Sequence, residues 1–282
     1  MKVLPFTIPK PKNDALILQE DKQPIFYSLL HQHEEIQISF IKKGSGSLLL
    51  GDTVTSFAAG DLFVLGSNVP HVFKSTSAKK THSHMLTIFF KKDSFGSHFF
   101  DTEELQSLRF FFENASLGFK IGILSDALKS LFQKIFKAEK IERFILFLQL
   151  LKVLNEIPKQ LLSSFPMQKK FNDREGKRME IIYSYTLNHF REKITLEEIA
   201  SEAAMTPQAF CRYFKKRTRK TYIEFLNELR IEEACSLLKN NPEMSITEIS
   251  EISGFTNISN FHRKFKQQKG MRPLQFQKQH TL

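Results

Sequence analysis

Two basic segments near the C-terminal end carry side chains suited to contacting a nucleic acid. In residues 207–217 four polar side chains recur at i, i+3, i+4 and i+7, and so share one helix face: Gln208, Cys211, Arg212 and Lys215. In residues 257–269 the outward-facing set is Ser259, Asn260, His262, Arg263 and Lys266. Neither segment contains Asp or Glu, so nothing within either segment would repel a polyanion.

These residue types predict two kinds of DNA contact. Arg can donate two hydrogen bonds to guanine, Gln and Asn can pair with adenine, and Lys suits phosphate oxygens. We predict base contacts from Gln208, Cys211, Arg212, Ser259, Asn260, His262 and Arg263. We predict phosphate contacts from Thr206, Lys215, Lys216, Asn257, Lys264 and Lys266. The alternative interpretation is a pair of basic helix faces that are only solvated.

Each basic segment must be held by a short preceding helix and a tight turn. Residues 195–216 and 245–267 are two copies of one pattern. Each copy opens with a capping box, in which Ser or Thr is followed three residues later by Glu: Thr195 with Glu198, and Ser245 with Glu248. The chain then turns at Ala204 or Gly254, and Pro207 suits the first position of the following helix. Apolar stripes face inward: Phe210, Tyr213 and Phe214 in one copy, Phe261 and Phe265 in the other. This is the helix-turn-helix pattern, whose second helix enters the DNA major groove.

A long helix is predicted between the two copies, over Tyr222–Leu238. At 1.5 Å per residue it would span about 25 Å. Such a spacer would set the two recognition helices about one DNA turn, roughly 34 Å, apart on one side of the duplex. The sequence therefore predicts that one chain reads two successive major grooves.

The N-terminal half changes its periodicity near residue 100. Residues 1–100 contain short β-rich runs separated by turn residues, which predicts a barrel or sandwich of strands. In residues 101–165 apolar positions recur every three or four residues, which predicts helices that pack within one domain or against a second subunit. We therefore predict an α+β chain of two domains, with a β-barrel at 1–100, trailing helices at 101–165, a linker at 166–178 and an all-α domain at 179–282.

The C-terminal part resembles the AraC/XylS family of bacterial transcription regulators. The resemblance is carried by residues 194–216, 229–238 (LRIEEACSLL), 246–255 (ITEISEISGF) and 261–266 (FHRKFK). It implies two helix-turn-helix units joined by a linker helix, with double-stranded promoter DNA and RNA polymerase as partners. It also implies a cupin-like β-barrel that senses a small molecule, followed by helices that often form a homodimer. Ala204 departs from the family pattern, which often has Gly in the first turn.

Four polar side chains of the predicted barrel follow the spacing of a cupin metal motif: His31, His33, Gln37 and His71. Gln37 stands where such motifs usually have Glu, so an anionic ligand and an obvious general base are missing. The four residues allow three interpretations. They could contact a small-molecule effector, the three histidines could bind a divalent metal, or the histidines could be structural. We retain them as candidate effector contacts and predict no metal and no cofactor. The alternative function is a cupin-type metalloenzyme fused to a DNA-binding domain.

Composition and charge narrow the functional class further. The formal net charge is +11, from 41 Lys and Arg against 30 Asp and Glu, with the steeper excess in the C-terminal part. This balance favours a polyanionic partner for that part.

Two cysteines, Cys211 and Cys235, are too few for a disulfide framework or a zinc cluster. No apolar run approaches the about 20 residues of a membrane span, and Pro5 and Pro9 interrupt any signal peptide. With no catalytic set in the sequence, we predict a cytoplasmic protein that is not an enzyme and has no membrane partner.

Overall fold

The computed structural model describes residues 15–26, 29–75, 82–122, 124–163, 165–166 and 173–280. They fall into two compact units, one within residues 15–46 and 57–166 and the other within residues 47–56 and 173–280. A β-rich N-terminal part and an all-helical C-terminal part confirm the predicted α+β class. Residues 167–172 of the predicted linker lie outside the described residues. Within the described part of the chain, no helix has the length and apolar character to cross a membrane.

The strands of the N-terminal part form two sheets, and all strand pairs of the larger sheet are antiparallel. They are β1 (Ile17–Gln23), β2 (Ile36–Lys43), β3 (Gly46–Leu50), β4 (Thr53–Phe57), β5 (Leu62–Leu65), β6 (His71–Ser75), β7 (Ser83–Phe90), β8 (Phe119–Ile121) and β9 (Gln160–Leu161). One sheet has the order β1-β7-β2-β5-β8-β9 and the other β4-β3-β6. Strands β8 and β9 lie in the segment predicted to be helical. They have only three and two residues, too few for strand alternation to show in the sequence.

Three helices cover the outer face of the larger sheet. They are α1 (Arg109–Leu117), α2 (Asp126–Lys137) and α3 (Lys140–Glu156), and two 3₁₀ turns, Phe99–Asp101 and Glu103–Leu108, precede α1. Their apolar side chains share one core with the sheet, to which the helices contribute the fully buried rings of Phe111, Phe132 and Phe147. Burial of large aromatic side chains dominates the energetics of such a core. This packing explains why the helical periodicity of residues 101–165 is so strong.

Strand β2 is buried on both of its faces. Ile36, Ile38 and Phe40 belong to the core beneath the helices, and the Phe40 ring lies 5.8 Å from that of Phe132 in an edge-to-face arrangement. Successive strand residues face opposite sides, so Gln37 and Ser39 point away from this core and yet are buried as well. A strand with one apolar and one polar buried face therefore brings hydrogen-bonding groups into the interior of the domain.

The C-terminal part consists of helices with short connections. They are α4 (Asp173–His189), α5 (Leu196–Glu202), α6 (Pro207–Thr218), α7 (Tyr222–Asn240), α8 (Ile246–Ile252), α9 (Ile258–Lys269) and α10 (Pro273–His280). The predicted recognition and spacer helices are confirmed, with ends that differ by one or two residues. Both predicted capping boxes are present, because the N–H of Glu198 donates to Thr195 Oγ1 and that of Glu248 to Ser245 Oγ, each at 3.2 Å. Helix α7 has a third box, formed by Thr221 and Glu224.

The two helix-turn-helix turns have the same backbone conformation in different surroundings. Ala204 and Gly254 both have positive φ, 52° and 90°. Ala204 is exposed, whereas Gly254 is buried where a Cβ would lie 2.6 Å from the carbonyl oxygen of Phe190. That oxygen already accepts a hydrogen bond of 2.7 Å from Nε of Arg230. The departure at Ala204 is therefore tolerated because its methyl group points into open solvent, while the second turn requires glycine.

Candidate DNA interface and ligand pocket

Helix α6 presents the first predicted set of base-contacting side chains to solvent. Gln208, Cys211 and Arg212 are exposed, while Phe210 and Phe214 are fully buried on the opposite face. The buried rings pack against Tyr222 at the start of α7, with ring centroids 5.3 and 5.5 Å apart. The core therefore fixes the rotation of α6, and the three polar side chains are free to face a ligand.

Helix α9 repeats this arrangement with a different set of polar groups. Ser259, His262 and Arg263 are exposed and Asn260 is half-buried, while the core lies beneath Phe261 and Phe265. The guanidinium of Arg263 donates a 2.8 Å hydrogen bond to Oδ1 of Asn260. This contact orders the Arg263 side chain before any ligand arrives, which lowers the entropic cost of using it for recognition.

The predicted phosphate contacts divide into helix caps and lysines. Thr206 and Asn257 are the N-caps of the two recognition helices and accept hydrogen bonds from the N–H groups of Ala209 and Asn260. They lie where the helix dipole favours an anion. Three of the lysines are exposed and one is half-buried: Lys215, Lys216 and Lys266, and Lys264.

A single acidic side chain links the two helices electrostatically. Hydrogen bonds from Thr221 lower the pKa of the Glu224 carboxyl, and the charges of Lys264 and Lys215 lower it further. One of these lysines belongs to α9 and the other to α6, so both lie near the first turn of α7. Two basic side chains, one from α6 and one from α9, therefore stabilise the charged form of Glu224.

One arginine from outside the helix-turn-helix copies supports α6, and sequence reasoning did not single it out. The Tyr213 ring, predicted in the inward stripe, is only half-buried, and its hydroxyl donates to the carbonyl of Glu175 at 3.3 Å. The guanidinium groups of Arg178 and Arg217 lie 5.6 and 5.4 Å from this ring. Arg178 therefore holds α4 against α6, and only the folded structure shows which ring it contacts.

The N-terminal part contains a cavity of about 140 Å³ beside two of the predicted effector contacts. Its lining comprises Gln19, Asp21, Gln23, Phe26, His31, Gln37, Phe73, Met85, Thr87 and Phe89. His33 and His71 lie just behind this lining, in contact with Gln37. Sequence reasoning missed the contributions of β1 and β7, because they depend on the pairing of Gln19 with Thr87 and of Asp21 with Met85. Mixed polar and aromatic walls suit a small polar ligand.

The three predicted histidines meet around Gln37. Each ring holds its Nδ1 atom against a backbone carbonyl oxygen, of Leu29 for His31, Glu35 for His33 and Val69 for His71, at 2.8–2.9 Å. The Nε2 atoms of His33 and His71 each lie 3.0 Å from Oε1 of Gln37. The Gln37 amide nitrogen donates in turn to Ser39, whose hydroxyl lies 3.1 Å from that of Thr87. The backbone thus fixes the ring orientations, and the imidazole edges converge.

Burial keeps these imidazoles in their neutral form. It lowers the pKa of His31 to about 4 and also lowers the pKa of His33. The pKa of His71 falls well below its usual range because the ring is buried and because His31 and His33 are nearby. At neutral pH each ring therefore has one N–H and one lone pair.

Comparison with protein families identifies both parts of the chain. The model described as an AraC-like ligand binding domain matches residues 15–137, and the model described as a helix-turn-helix domain matches residues 199–279. The uncharacterized HTH-type transcriptional regulator YdeC of Bacillus subtilis is 26% identical over 267 residues, which cover 90% of this chain and 88% of that protein. The HTH-type transcriptional activator RhaS of Escherichia coli is 26% identical over 131 residues, 46% of this chain and 44% of RhaS.

Solved structures give weaker similarities. ToxT from Vibrio cholerae is 15% identical, and the match covers 95% of this chain and 98% of that chain with a TM-score of 0.38. The DNA-binding domain of AdpA, in complex with a target DNA, is 24% identical over 35% of this chain and 87% of that domain, with a TM-score of 0.33. Both scores are low, so the relationship rests on the two family models and the full-length relative.

Proposed function

Because this chain belongs to the AraC family of DNA-binding transcription regulators and has an N-terminal ligand-binding domain, we propose that it reads two successive major grooves of promoter DNA through α6 and α9. The observation that carries this proposal is that α6 and α9 have the same construction. Each helix is capped, backed by buried Phe rings and free of acidic residues on its exposed face. Helix α7, with 19 residues, spans about 28 Å, close to the roughly 34 Å of one DNA turn.

The proposal assigns base contacts to the exposed polar residues of the two helices and phosphate contacts to their caps and lysines. Arg212 and Arg263 suit guanine, and Gln208 and Asn260 suit adenine. Thr206 and Asn257 stand at helix N-termini, where phosphates bind well. Shape readout adds to these contacts, because two recognition helices on one face of the duplex favour a bent site.

Replacement of Arg212 or Arg263 by alanine should relax base preference at one position of the site for each variant. Loss of a bidentate guanine contact is worth about 1–3 kcal/mol, or about 5- to 150-fold in affinity for the preferred base. The measurement is binding of the full chain to duplexes selected from a randomised pool, followed by titration of single-base variants. Arg109→Ala, at an exposed site on α1, is the matched control. An equal loss on all duplexes would contradict base reading by these arginines.

The cavity is the proposed site of a small-molecule effector. It lies in the part of the chain matched by the ligand-binding model, and its lining mixes polar groups with Phe rings. We propose that its occupant regulates transcription and is not a substrate, because the relatives are named as regulators. The protein would act in the bacterial cytoplasm, where promoter DNA and RNA polymerase are present.

A homodimer through α3 is the proposed assembly. Ile141 and Ile145 lie one helical turn apart on this helix and are 70% and 51% exposed. Their double replacement by Glu should turn a dimer into a monomer, because it places charges where apolar surface would be buried. Sedimentation of the full chain at micromolar concentration provides the measurement. Ile223→Glu, at an exposed Ile of α7, is the control, and a wild-type monomer would refute the assembly.

A further inference from the structure

The three histidines around Gln37 converge as ligands of a metal ion do. One ligand atom from each of His31, His33 and His71 lies within 4.8 Å of the other two. The Gln37 Oε1 atom lies 3.0 Å from Nε2 of both His33 and His71. We infer that these four residues bind a divalent transition-metal ion. This site lies in the ligand-binding domain, and its existence does not depend on the proposed DNA recognition.

The backbone supplies the outer contacts that a metal site needs. A carbonyl oxygen can only accept a hydrogen bond, so the Nδ1 atom facing it must carry the hydrogen. All three rings face a carbonyl in this way. Nε2 is then the atom with the lone pair, as in sites where histidine donates its other N–H to a carbonyl or carboxylate. A carboxylate also lies near the His33 ring, since Oε2 of the buried Glu35 is 3.8 Å from Nδ1 of His33.

The hydrogen count around Gln37 leaves two arrangements, and one of them includes a cation. His33 and His71 place both ring nitrogens near oxygen atoms, four contacts in all, but two neutral rings provide only two N–H groups. Two Nε2 lone pairs therefore face an amide oxygen. The lone pairs of the two Nε2 atoms and of Gln37 Oε1 repel one another. A metal ion placed among them would accept all three lone pairs as ligands. Without a metal, the Gln37 amide must turn so that its N–H groups donate to both rings, and this closed network is the alternative to be tested.

The donor set selects the class of ion. Three neutral imidazoles with one amide oxygen suit Zn²⁺, Co²⁺, Ni²⁺ or Fe²⁺, whereas Mg²⁺ and Ca²⁺ prefer oxygen ligands. Metal–nitrogen bonds of about 2.1 Å need ligand atoms roughly 3.0–3.4 Å apart, so the widest pair must close by more than an ångström on loading. His31 and Gln37 also line the cavity, which gives the ion an entry path and leaves positions open for water or a small ligand.

The test is a metal titration of the full chain after removal of metals with a chelator. Zn²⁺ affinity is measured by competition with a chromophoric chelator, and Co²⁺ is added separately for its visible absorption bands. We expect one ion per chain, and Co²⁺ bands typical of nitrogen and oxygen ligands. His71→Ala should lose affinity by at least about 100-fold, because it removes a direct ligand. His98→Ala, whose ring is 90% exposed, should bind as the wild type does.

Gln37→Glu tests the site without removing a buried ring. A carboxylate in place of the amide oxygen should tighten Zn²⁺ binding by about 10-fold or more and shift the Co²⁺ bands. Wild-type protein that binds less than about 0.1 ion per chain at saturating Zn²⁺ would overturn the inference and leave the closed amide network. If neither His71→Ala nor Gln37→Glu alters Zn²⁺ binding, the ion binds elsewhere and the inference is equally overturned. DNA binding is scored separately, so a failure of either idea is recognised on its own.

Discussion

Gly254→Ala should destabilise the helical domain by on the order of 3 kcal/mol, from left-handed backbone strain of about 1–2 kcal/mol plus overpacking of about 1–3 kcal/mol. The added Cβ would lie 2.6 Å from the Phe190 carbonyl oxygen and 2.9 Å from Nε of Arg230. These two atoms form the hydrogen bond that joins the end of α4 to α7. The second turn would have to withdraw from this contact, and α9 would move with it.

Two matched variants separate strain from crowding. Gly270 also has positive φ, at 73°, but a Cβ there meets nothing within 4 Å, so Gly270→Ala should cost only the backbone strain of about 1–2 kcal/mol. Ala204→Gly should be neutral or stabilising, because an exposed residue is relieved of left-handed strain. Thermal and urea unfolding of the full chain give the measurement. Equal losses for the two Gly→Ala variants would show that contact with Phe190 contributes nothing.

Raising the salt concentration from 50 to 200 mM should weaken DNA binding on the order of 100-fold. Four lysines are assigned to phosphates, Lys215, Lys216, Lys264 and Lys266. Each neutralised phosphate contributes about 0.9 to the slope of log affinity against log salt, so four contacts give a slope near −3.6. The affinity of the full chain for a selected duplex, measured by fluorescence anisotropy at a series of salt concentrations, provides the slope.

Glutamine variants of the lysines test the assignment. Lys216→Gln with Lys266→Gln should make the slope shallower by about 2 while leaving base preference intact. Lys134→Gln with Lys137→Gln, two exposed lysines of α2, should change neither property. A slope that the first pair does not alter would show that the phosphates are neutralised by other groups.

Local sequence signals predicted the DNA-binding part well. The capping boxes at Thr195 and Ser245 depend on residues three positions apart, and the buried stripes of α6 and α9 depend on one helix each. Such features depend on residues close together in the sequence, so they can be predicted without knowing the tertiary fold. The tolerance of Ala204 could not be predicted in this way, since it depends on the surroundings of the turn: Ala204 is exposed, whereas the carbonyl oxygen of Phe190 lies beside Gly254.

The lining of the cavity was only partly predicted, because it depends on contacts between distant parts of the chain. Of the four residues selected by their spacing, His31 and Gln37 line the cavity, and the other two lie behind it. Gln19 and Thr87 enter through the pairing of strands far apart in the chain. Strand register is fixed by the whole sheet and the core beneath it, not by either strand alone. The orientation of the rings was equally hidden, because it is set by carbonyl groups that only the folded backbone brings into place.

The two buried faces of β2 restrict how this protein can evolve. A substitution at Gln37 changes the pocket and leaves Ile36 and Ile38 in the core, so ligand preference can change one residue at a time. Insertion or deletion of one residue would exchange the faces, placing Ile38 among the polar groups and Ser39 against the helices. Relatives with other effectors are therefore expected to differ in the residues of this strand but to keep its length.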